Sequence, residues 1–469
     1  MPLSPRSFPL LAASLLLVGA LAACTPAAAP GPAPAPSRSA GTGTPISDFD
    51  GDGSADVVVG AAGDPASVQV RYADGRVQAI TRADVDGTDL RTRFGASVLA
   101  RDLNSDGFAD LAIADRGDDS RNQALFLVPG SADGLQPGSA RRYDAPRGVG
   151  RFGSALAFVE EPDPLLVVGA PADVEGGYRG GAIVTYRLGD DGVPRPNPDV
   201  FTQDAAGMPA KAEPGDRFGE SLSASGSLLL IGVPLEDVGS VREAGAVVLL
   251  NFTHYGFDGI RVSKSSAGVS GTPRTGDFFG LSVAIGDGYA VVGVPGQDAG
   301  GRVDAGSVQP FRVQGATLVP EAAIDQDSAG VPDSNEAGDR FGTAVALVRA
   351  CAGVTGTLVG GPGEGVGKAR AAGAAWLVPF GSADGCPPRQ FSGANGLGPG
   401  PVAGKRNGTA VAALRGSDRD SADSLLVAGP GDAASGGGTV FLVPVPKGAV
   451  QRPFTTLRTP FGISLSPAR

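Results

Sequence analysis

The stretch FGLSVAIGDGYAVVGVP at residues 279–295 holds two short motifs, a Phe-Gly pair and a Gly-Val-Pro turn, joined by mostly apolar residues. A Phe-Gly pair also opens a short alternating run at residues 94, 152, 218, 341 and 461, and Asn407-Gly408 is a degraded copy. The turn motif recurs in alternation with the Phe-Gly pairs. Its other copies are Gly60-Ala61-Ala62, Ala112-Ile113-Ala114, Gly169-Ala170-Pro171, Gly232-Val233-Pro234, Gly360-Gly361-Pro362 and Ala428-Gly429-Pro430.

Two motifs in fixed order, repeated at intervals of about 60 residues, predict a series of four-stranded β units. One such sheet cannot bury both of its faces, so the units must pack face to face, and stacking around an axis leaves few exposed edges. The first turn, at 60–62, has no Phe-Gly strand before it, and FGISL at 461–465 has no turn after it. We therefore expect an all-β, seven-bladed β-propeller of four-stranded blades, closed by the C-terminal strand completing blade one. The Phe side chains should form the core between blades.

These two motifs resemble those of the FG-GAP repeat family, which includes the headpiece of integrin α subunits. The resemblance covers residues 46–469 and implies the propeller fold. It is much less specific about function, because the motifs that carry it are structural.

Two acidic loops precede the second strands of blades one and two. Oxygen ligands at positions 1, 3, 5 and 9, with a carbonyl at position 7, suit a hard cation that needs six or more oxygens. An EF-hand needs a bidentate Glu at position 12, where this chain has Val59 and Ile113. The loops resemble the DxDxDGxxD calcium site of the FG-GAP family, which implies Ca²⁺; the alternative is an Asp/Gly-rich turn with solvated charges. The predicted ligands are Asp48, Asp50, Asp52, Ser54 and Asp56 in the first loop, and Asp102, Asn104, Asp106, Phe108 and Asp110 in the second.

The composition excludes several other classes of protein. The 469 residues include 74 Gly and 39 Pro, which interrupt helices and favour turn-rich β structure. The formal net charge is −11, and the chain has no run rich in Lys and Arg. We therefore expect no binding to nucleic acid, whose phosphates an acidic surface repels.

The N-terminal segment predicts export. Residues 1–23 read as a signal peptide, with Arg6 ahead of an apolar run that is too short to span a bilayer. Leu-Ala-Ala-Cys at 21–24 resembles a bacterial lipobox, which implies a lipid on Cys24 and a position on the cell surface; ordinary secretion is the alternative. Residues 24–45 are rich in Pro, Ala and Ser and predict an extended tether to the propeller at 46–469.

Cys351 and Cys386 lie in one predicted blade. An oxidising compartment would allow them to form a disulfide. Their spacing in the sequence does not fix the distance between their Cα atoms, so the pairing stays open.

The sequence favours a cell-surface, calcium-binding, non-catalytic binding or adhesion module, and we expect a monomer that is not an enzyme. The partner is a protein or surface ligand of unknown identity. Relatives of the integrin type bind partners through the loops at 172–180, 203–217, 235–244 and 296–305. Two alternatives remain, namely an exported propeller enzyme, a lyase or hydrolase with its site at the propeller axis, and a passive envelope scaffold. An enzyme site at the axis would need acid–base groups, of which the chain has few. His254 is the single histidine, and there are six Tyr.

Overall fold

The computed structural model describes residues 46–62, 66–88, 92–117, 122–351, 353–381, 385–398, 400–415, 422–430, 438–444, 455–457 and 463–465. The predicted leader, Cys24 and the tether lie outside these residues. So does the last Phe-Gly pair, Phe461-Gly462.

The described strands form seven antiparallel sheets of four strands each. Blade 1 contains β28 (Ile463–Leu465), β1 (Val57–Ala61), β2 (Ser67–Arg71) and β3 (Val77–Ile80). Blade 2 contains β4 (Phe94–Arg101), β5 (Asp110–Asp115), β6 (Ala124–Val128) and β7 (Arg141–Asp144). Blade 3 contains β8 (Leu156–Val159), β9 (Leu165–Ala170), β10 (Ala182–Arg187) and β11 (Asp199–Phe201). Blade 4 contains β12 (Leu222–Ser225), β13 (Leu228–Val233), β14 (Ala246–Thr253) and β15 (Gly256–Ser263).

The last three blades have the same order. Blade 5 contains β16 (Val283–Gly286), β17 (Tyr289–Val294), β18 (Ser307–Gln314) and β19 (Thr317–Pro320). Blade 6 contains β20 (Ala344–Cys351), β21 (Val354–Gly361), β22 (Ala374–Pro379) and β23 (Arg389–Ser392). Blade 7 contains β24 (Ala410–Leu414), β25 (Ser424–Gly429), β26 (Gly438–Pro444) and β27 (Thr455–Leu457). One short α-helix, α1 (Arg82–Asp86), and one 3₁₀ turn (Pro137–Ser139) complete the described elements.

The ring is closed by the C-terminal strand, as the motif count predicts. β28 pairs antiparallel with β1, and Val59 lies opposite Leu465 in the register. The first sheet therefore combines residues from both ends of the propeller. The predicted seven-bladed, four-stranded, all-β propeller is confirmed.

Antiparallel order within each blade sorts the loops onto two faces. Loops between strands one and two, and between strands three and four, lie at one end of the strands, while the other loops lie at the opposite end. The acidic loops at 48–56 and 102–110 are on the first face. The loops at 203–217, 235–244 and 296–305 are on the second.

The apolar core is divided among the seven interfaces between blades. Each of seven clusters of buried side chains draws its members from two adjacent blades, including the pair formed by blades 7 and 1. The Phe-Gly rings are fully buried, and these are Phe94, Phe152, Phe218, Phe279 and Phe341. Their predicted place in the inter-blade core is therefore confirmed for the described copies.

The glycine of the turn motif is required by a close approach between neighbouring blades. The carbonyl oxygen of Gly342, in the Phe-Gly pair of blade 6, would lie 2.1 Å from a Cβ added to Gly293 of blade 5. The same contact recurs at 2.2 Å for Gly169, 2.1 Å for Gly232 and 1.9 Å for Gly360. Since real Cβ atoms do not approach oxygen so closely, only glycine lets the blades pack at this distance.

The degraded motif keeps the backbone part of this contact. Asn407 N donates to Ala372 O at 3.0 Å, as Phe341 N donates to Ala305 O at 2.9 Å in the preceding repeat. The Asn407 side chain is buried, and its Oδ1 has no hydrogen-bond partner. The repeat therefore depends on backbone geometry more strictly than on the aromatic ring.

Cys351 and Cys386 form a disulfide, with Cα atoms 6.1 Å apart. It links the end of β20 to the chain just before β23 in blade 6. Within the part of the chain that the structure describes, no helix has the length and apolar character needed to cross a bilayer.

We expect Gly293→Ala to destabilise the propeller by about 1–3 kcal/mol, because the added methyl group must displace the neighbouring backbone. Gly138→Ala is the matched control, since nothing lies within 4 Å of its added Cβ and its φ is not positive. Urea unfolding followed by circular dichroism measures both changes. Equal stability of the two variants would contradict the role given to this contact.

Candidate metal centre

The first acidic loop, at 48–56, wraps back on its own carboxylates. Asp48 Oδ2 accepts a hydrogen bond from Gly53 N at 2.8 Å, and Asp48 Oδ1 accepts one from Asp52 N at 3.1 Å. Gly51 and Gly53 have positive φ values of 72° and 88°, which let the chain turn tightly around Asp48.

Asp56 fastens the loop to its surroundings. Its Oδ2 accepts from Phe49 N and its Oδ1 accepts from Ala73 N, both at 2.9 Å. Burial raises the pKa of Asp56 to about 7, and it also raises the pKa of Asp48. Because removal from water disfavours the charged form, a cation in the loop would stabilise both carboxylates.

Three of the five predicted ligands in this loop come together. Asp48, Asp50 and Asp56 each offer a carboxylate oxygen, and these oxygens lie within 4.8 Å of one another. Asp50 also forms an ion pair with Arg76. Asp52 and Ser54 are exposed, and Asp52 Oδ1 accepts from Ser54 N at 2.7 Å.

The second loop, at 102–110, repeats this hydrogen-bond pattern. Gly107 N donates to Asp102 Oδ2 at 3.1 Å, and Leu103 N and Gly130 N donate to the two oxygens of Asp110, both at 3.1 Å. Asp102 Oδ1 is buried and has no hydrogen-bond partner. Burial raises the pKa of Asp110 to about 6 and raises that of Asp102.

The remaining predicted ligands of the second loop are less enclosed. Asp106 N donates to Asn104 Oδ1 at 2.9 Å, and Phe108 N donates to Asp106 Oδ1 at 2.9 Å. The Asp106 side chain is exposed. The structure therefore closes this loop as it does the first.

The two loops are neighbours. Ala109 N donates to Asp48 O at 2.8 Å, and a Cβ on Gly51 would lie 2.6 Å from the Phe108 ring. Together they form one acidic edge on blades 1 and 2.

Sequence reasoning missed a second group of carboxylates on the opposite face. Glu336, Asp339 and Glu364 place their oxygens within 4.8 Å of one another. The available signal was the recurrence of Gln-Asp-x-Ala-Gly before Gly-Asp-Arg-Phe-Gly, at 203–219 and again at 326–342. The partner residue Glu364 is far along the chain, so the motif alone does not reveal the group.

The innermost strands surround an axial cavity of about 400 Å³. Its lining is mainly Ala, Ser, Val and Leu, and its charged members include Arg101 and Glu160, which form an ion pair at 2.6 Å. Ser221 Oγ and Ser282 Oγ donate to backbone carbonyls of the next blade at 2.9 and 2.8 Å. His254 lies elsewhere, in a hairpin, with 68 % of its side chain exposed.

Comparison with protein families supports the motif assignment. An FG-GAP-like repeat model matches residues 48–113, and an FG-GAP repeat model matches residues 273–311. The first match includes both acidic loops, and the second includes the stretch that defines the repeat. A comparison with curated protein sequences gave no match.

Several solved propellers are similar in fold. The periplasmic gluconolactonase of Pseudomonas aeruginosa has 13 % identity and a TM-score of 0.47, and the match covers 88 % of this chain and 99 % of that one. A protein of Bacteroides uniformis, described as a putative 6-phosphogluconolactonase, has 10 % identity and a TM-score of 0.47, covering 87 % and 99 %. The Dos1 propeller has 10 % identity and a TM-score of 0.41, covering 84 % and 76 %.

These comparisons correct one expectation. The prediction that the chain is not an enzyme is wrong as an inference from sequence, because two of the similar propellers are named as lactonases. Scarce His and Tyr residues were a weak ground for it, since one fold carries many chemistries and function depends on the site. At 10–13 % identity the likeness itself concerns the fold alone.

The repeats, the seven sheets and the ring closure all agree with the two family matches. Residues 48–113 and 273–311 therefore carry FG-GAP-type repeats of this seven-bladed β-propeller.

Proposed function

We propose that this chain is an exported, lipid-anchored propeller that binds calcium at blades 1 and 2 and presents its opposite face to a protein or surface ligand. The observation that carries the proposal is the first loop, where Asp48, Asp50 and Asp56 converge. Two of these carboxylates are buried, at 1 % exposure each. Buried like charges at this separation repel one another unless a cation or proton compensates them.

Calcium suits the donor set because every candidate ligand is an oxygen. Carboxylates, the Asn104 amide and backbone carbonyls match the preference of Ca²⁺ for six to eight oxygen ligands. When bound, the ion would neutralise the loop carboxylates. Asp48, Asp50, Asp52 and Asp56 with the Ser54 carbonyl would hold it in blade 1, and Asp102, Asn104, Asp106 and Asp110 with the Phe108 carbonyl would hold it in blade 2.

The opposite face supports the binding role. It gathers the long loops that connect neighbouring blades and those between the second and third strands. Val303 lies in one of these loops with 64 % exposure and is one of five exposed large hydrophobic side chains among the described residues. A broad, loop-built surface on a rigid ring is a common way to present contacts to a partner.

The anchor rests on Leu-Ala-Ala-Cys at residues 21–24. A lipid on Cys24 would hold the N-terminus at the membrane, and the Pro-rich segment at 24–45 would separate the propeller from the bilayer.

We expect Ca²⁺ at about 100 times its Kd to stabilise the chain by about 2.7 kcal/mol per occupied site, because the ion binds only the folded loop. Asp48→Asn should weaken binding at the first loop by about tenfold or more, since affinity follows ligand charge. Calorimetric titration and thermal unfolding with and without calcium measure both effects. Asp133→Asn, an exposed carboxylate outside the loop, is the control, and identical calcium affinities for the two variants would refute the site.

We expect Cys24→Ala to move the protein from the detergent phase to the aqueous phase in a Triton X-114 partition of whole cells. The reason is that each buried CH₂ of a lipid chain contributes about 0.8 kcal/mol to membrane binding. Thr25→Ala provides the control next to it in sequence. A Cys24→Ala protein that still partitions into detergent would exclude lipidation at this residue.

We expect Val303→Asp to reduce crosslinking of the chain to its surface partner on intact cells by about tenfold, equivalent to about 1.4 kcal/mol of binding free energy. Tyr255→Ser is the control, because Tyr255 is fully exposed in a hairpin on the calcium face. Loss of crosslinking in the control alone would place the partner on the wrong face for this proposal.

A further inference from the structure

The junctions leading into blades 4, 5 and 6 share one polar framework. Residues 203, 213 and 216 have the same spacing as 264, 274 and 277, and as 326, 336 and 339. In each, the Asp two positions before the Phe of the Phe-Gly pair accepts a hydrogen bond from the backbone N–H of the residue three positions earlier, at 2.7 Å, 2.8 Å and 2.7 Å.

A fourth position in each framework comes from the loop after the second strand. These residues are Glu236, Gln297 and Glu364, and the backbone oxygen of each accepts from the glycine that opens the third strand, always at 2.9 Å. The three junctions are therefore the same structure with different side chains, which allows a direct comparison within one molecule.

At the blade-5 junction the chain supplies its own cation. Lys264 Nζ donates to Asp277 Oδ2 at 3.0 Å and to Gln297 Oε1 at 3.1 Å. The Lys264 side chain is only 4 % exposed. A buried ammonium group thus occupies the centre of this framework, with one carboxylate and one amide oxygen as its ligands.

At the blade-4 junction an arginine partly plays this role. Gln203 stands at the lysine position and donates through Nε2 to Glu236 Oε2 at 2.7 Å. Arg261 Nε donates to Glu236 Oε1 at 3.0 Å. Burial raises the pKa of Glu236, and the positive charge of Arg261 opposes this increase.

At the blade-6 junction neither cation is present. Gln326 stands at the lysine position, and its Nε2 donates to Glu364 Oε2 at 2.8 Å. In blade 4, Arg261 lies opposite the third residue of β14. The equivalent position in blade 6, opposite the third residue of β22, is occupied by Gln390, which has no charge. Among the described residues, no Lys or Arg forms an ion pair with Glu336, Asp339 or Glu364, which we call the blade-6 acidic cluster.

The negative charge of this cluster is concentrated and largely buried. Asp339 and Glu364 are 2 % and 1 % exposed, and the three carboxylates lie within 4.8 Å of one another. Burial, followed by repulsion from Asp339, raises the pKa of Glu364 to about 8.

A second observation points to a ligand at this cluster. Gln326 is fully buried, with 0 % exposure, and its Oε1 has no hydrogen-bond partner, as is also the case for Gln203 Oε1 beside Glu236 at the blade-4 junction. A buried amide oxygen without a donor is costly. Rotation of the terminal amide exchanges its oxygen with the nitrogen that contacts Glu364, which would turn the oxygen towards the carboxylates.

We propose that the blade-6 acidic cluster binds a divalent cation of the calcium type, through the carboxylates of Glu336, Asp339 and Glu364 and the amide oxygen of Gln326. The ion takes the place that the Lys264 ammonium occupies at the blade-5 junction. Four oxygen donors leave room for water in the coordination shell, on the side of the exposed Glu336. This site lies on the face opposite the loops at 48–56 and 102–110 and is independent of them.

The test exchanges the two junctions. The variant Gln326→Lys, Glu336→Arg and Glu364→Gln copies the blade-5 side chains into blade 6 and should bind one calcium ion fewer than the wild type. The reciprocal variant Lys264→Gln, Arg274→Glu and Gln297→Glu should bind one more. The full chain in detergent is equilibrated with buffered CaCl₂, and bound calcium is counted by mass spectrometry after removal of free ion.

The test depends only on the difference in bound calcium between the variants and the wild type. If the loops of blades 1 and 2 do not bind calcium, every count falls by the same number and this difference is unchanged. Equal counts for the wild type and the first variant would overturn the proposal. If the first variant does not fold, the reciprocal variant decides alone, with one extra ion supporting the proposal and an unchanged count overturning it.

Discussion

The propeller depends on one close backbone contact repeated around the ring. At the four junctions from blade 3 to blade 7, the Phe-Gly or Asn-Gly carbonyl of one blade lies against the turn glycine of the blade before it, at a distance that leaves no room for a Cβ. This approach brings the flat faces of adjacent sheets together and allows each interface to hold its own apolar cluster. Because the core is divided into seven interfaces, no blade is stable by itself, and the ring must close.

Ring closure has a consequence for the sites. The strands fix two faces, and each face carries carboxylates whose charge must be compensated. On one face, backbone N–H groups and Arg76 contact the loop carboxylates. On the other, a lysine, an arginine or neither stands beside a repeated acidic framework. Buried carboxylates at equivalent positions of this fold are thus paired with a lysine, with an arginine, or with no cationic side chain.

The fold and the sites give different information about the function of the chain. One fold carries many functions, so the propeller architecture alone leaves the function undecided. In this chain the innermost strands present mainly small and apolar side chains to the axis. The concentrations of buried charge lie instead in the loops at the two ends of the blades.

The sequence by itself determined the blade count, the closure by FGISL and the places of the acidic loops, because each depends on local chemistry: glycine at a close approach, alternation in a strand, and carboxylates within nine residues. Only the tertiary structure decided that Cys351 meets Cys386, that Asp50 pairs with Arg76, and that Gln326 contacts Glu364 across 38 residues. These contacts join separate loops, and their partners are set by how the strands between them pack. A local motif cannot specify such a pairing, because the distance between two loops is a property of the whole blade.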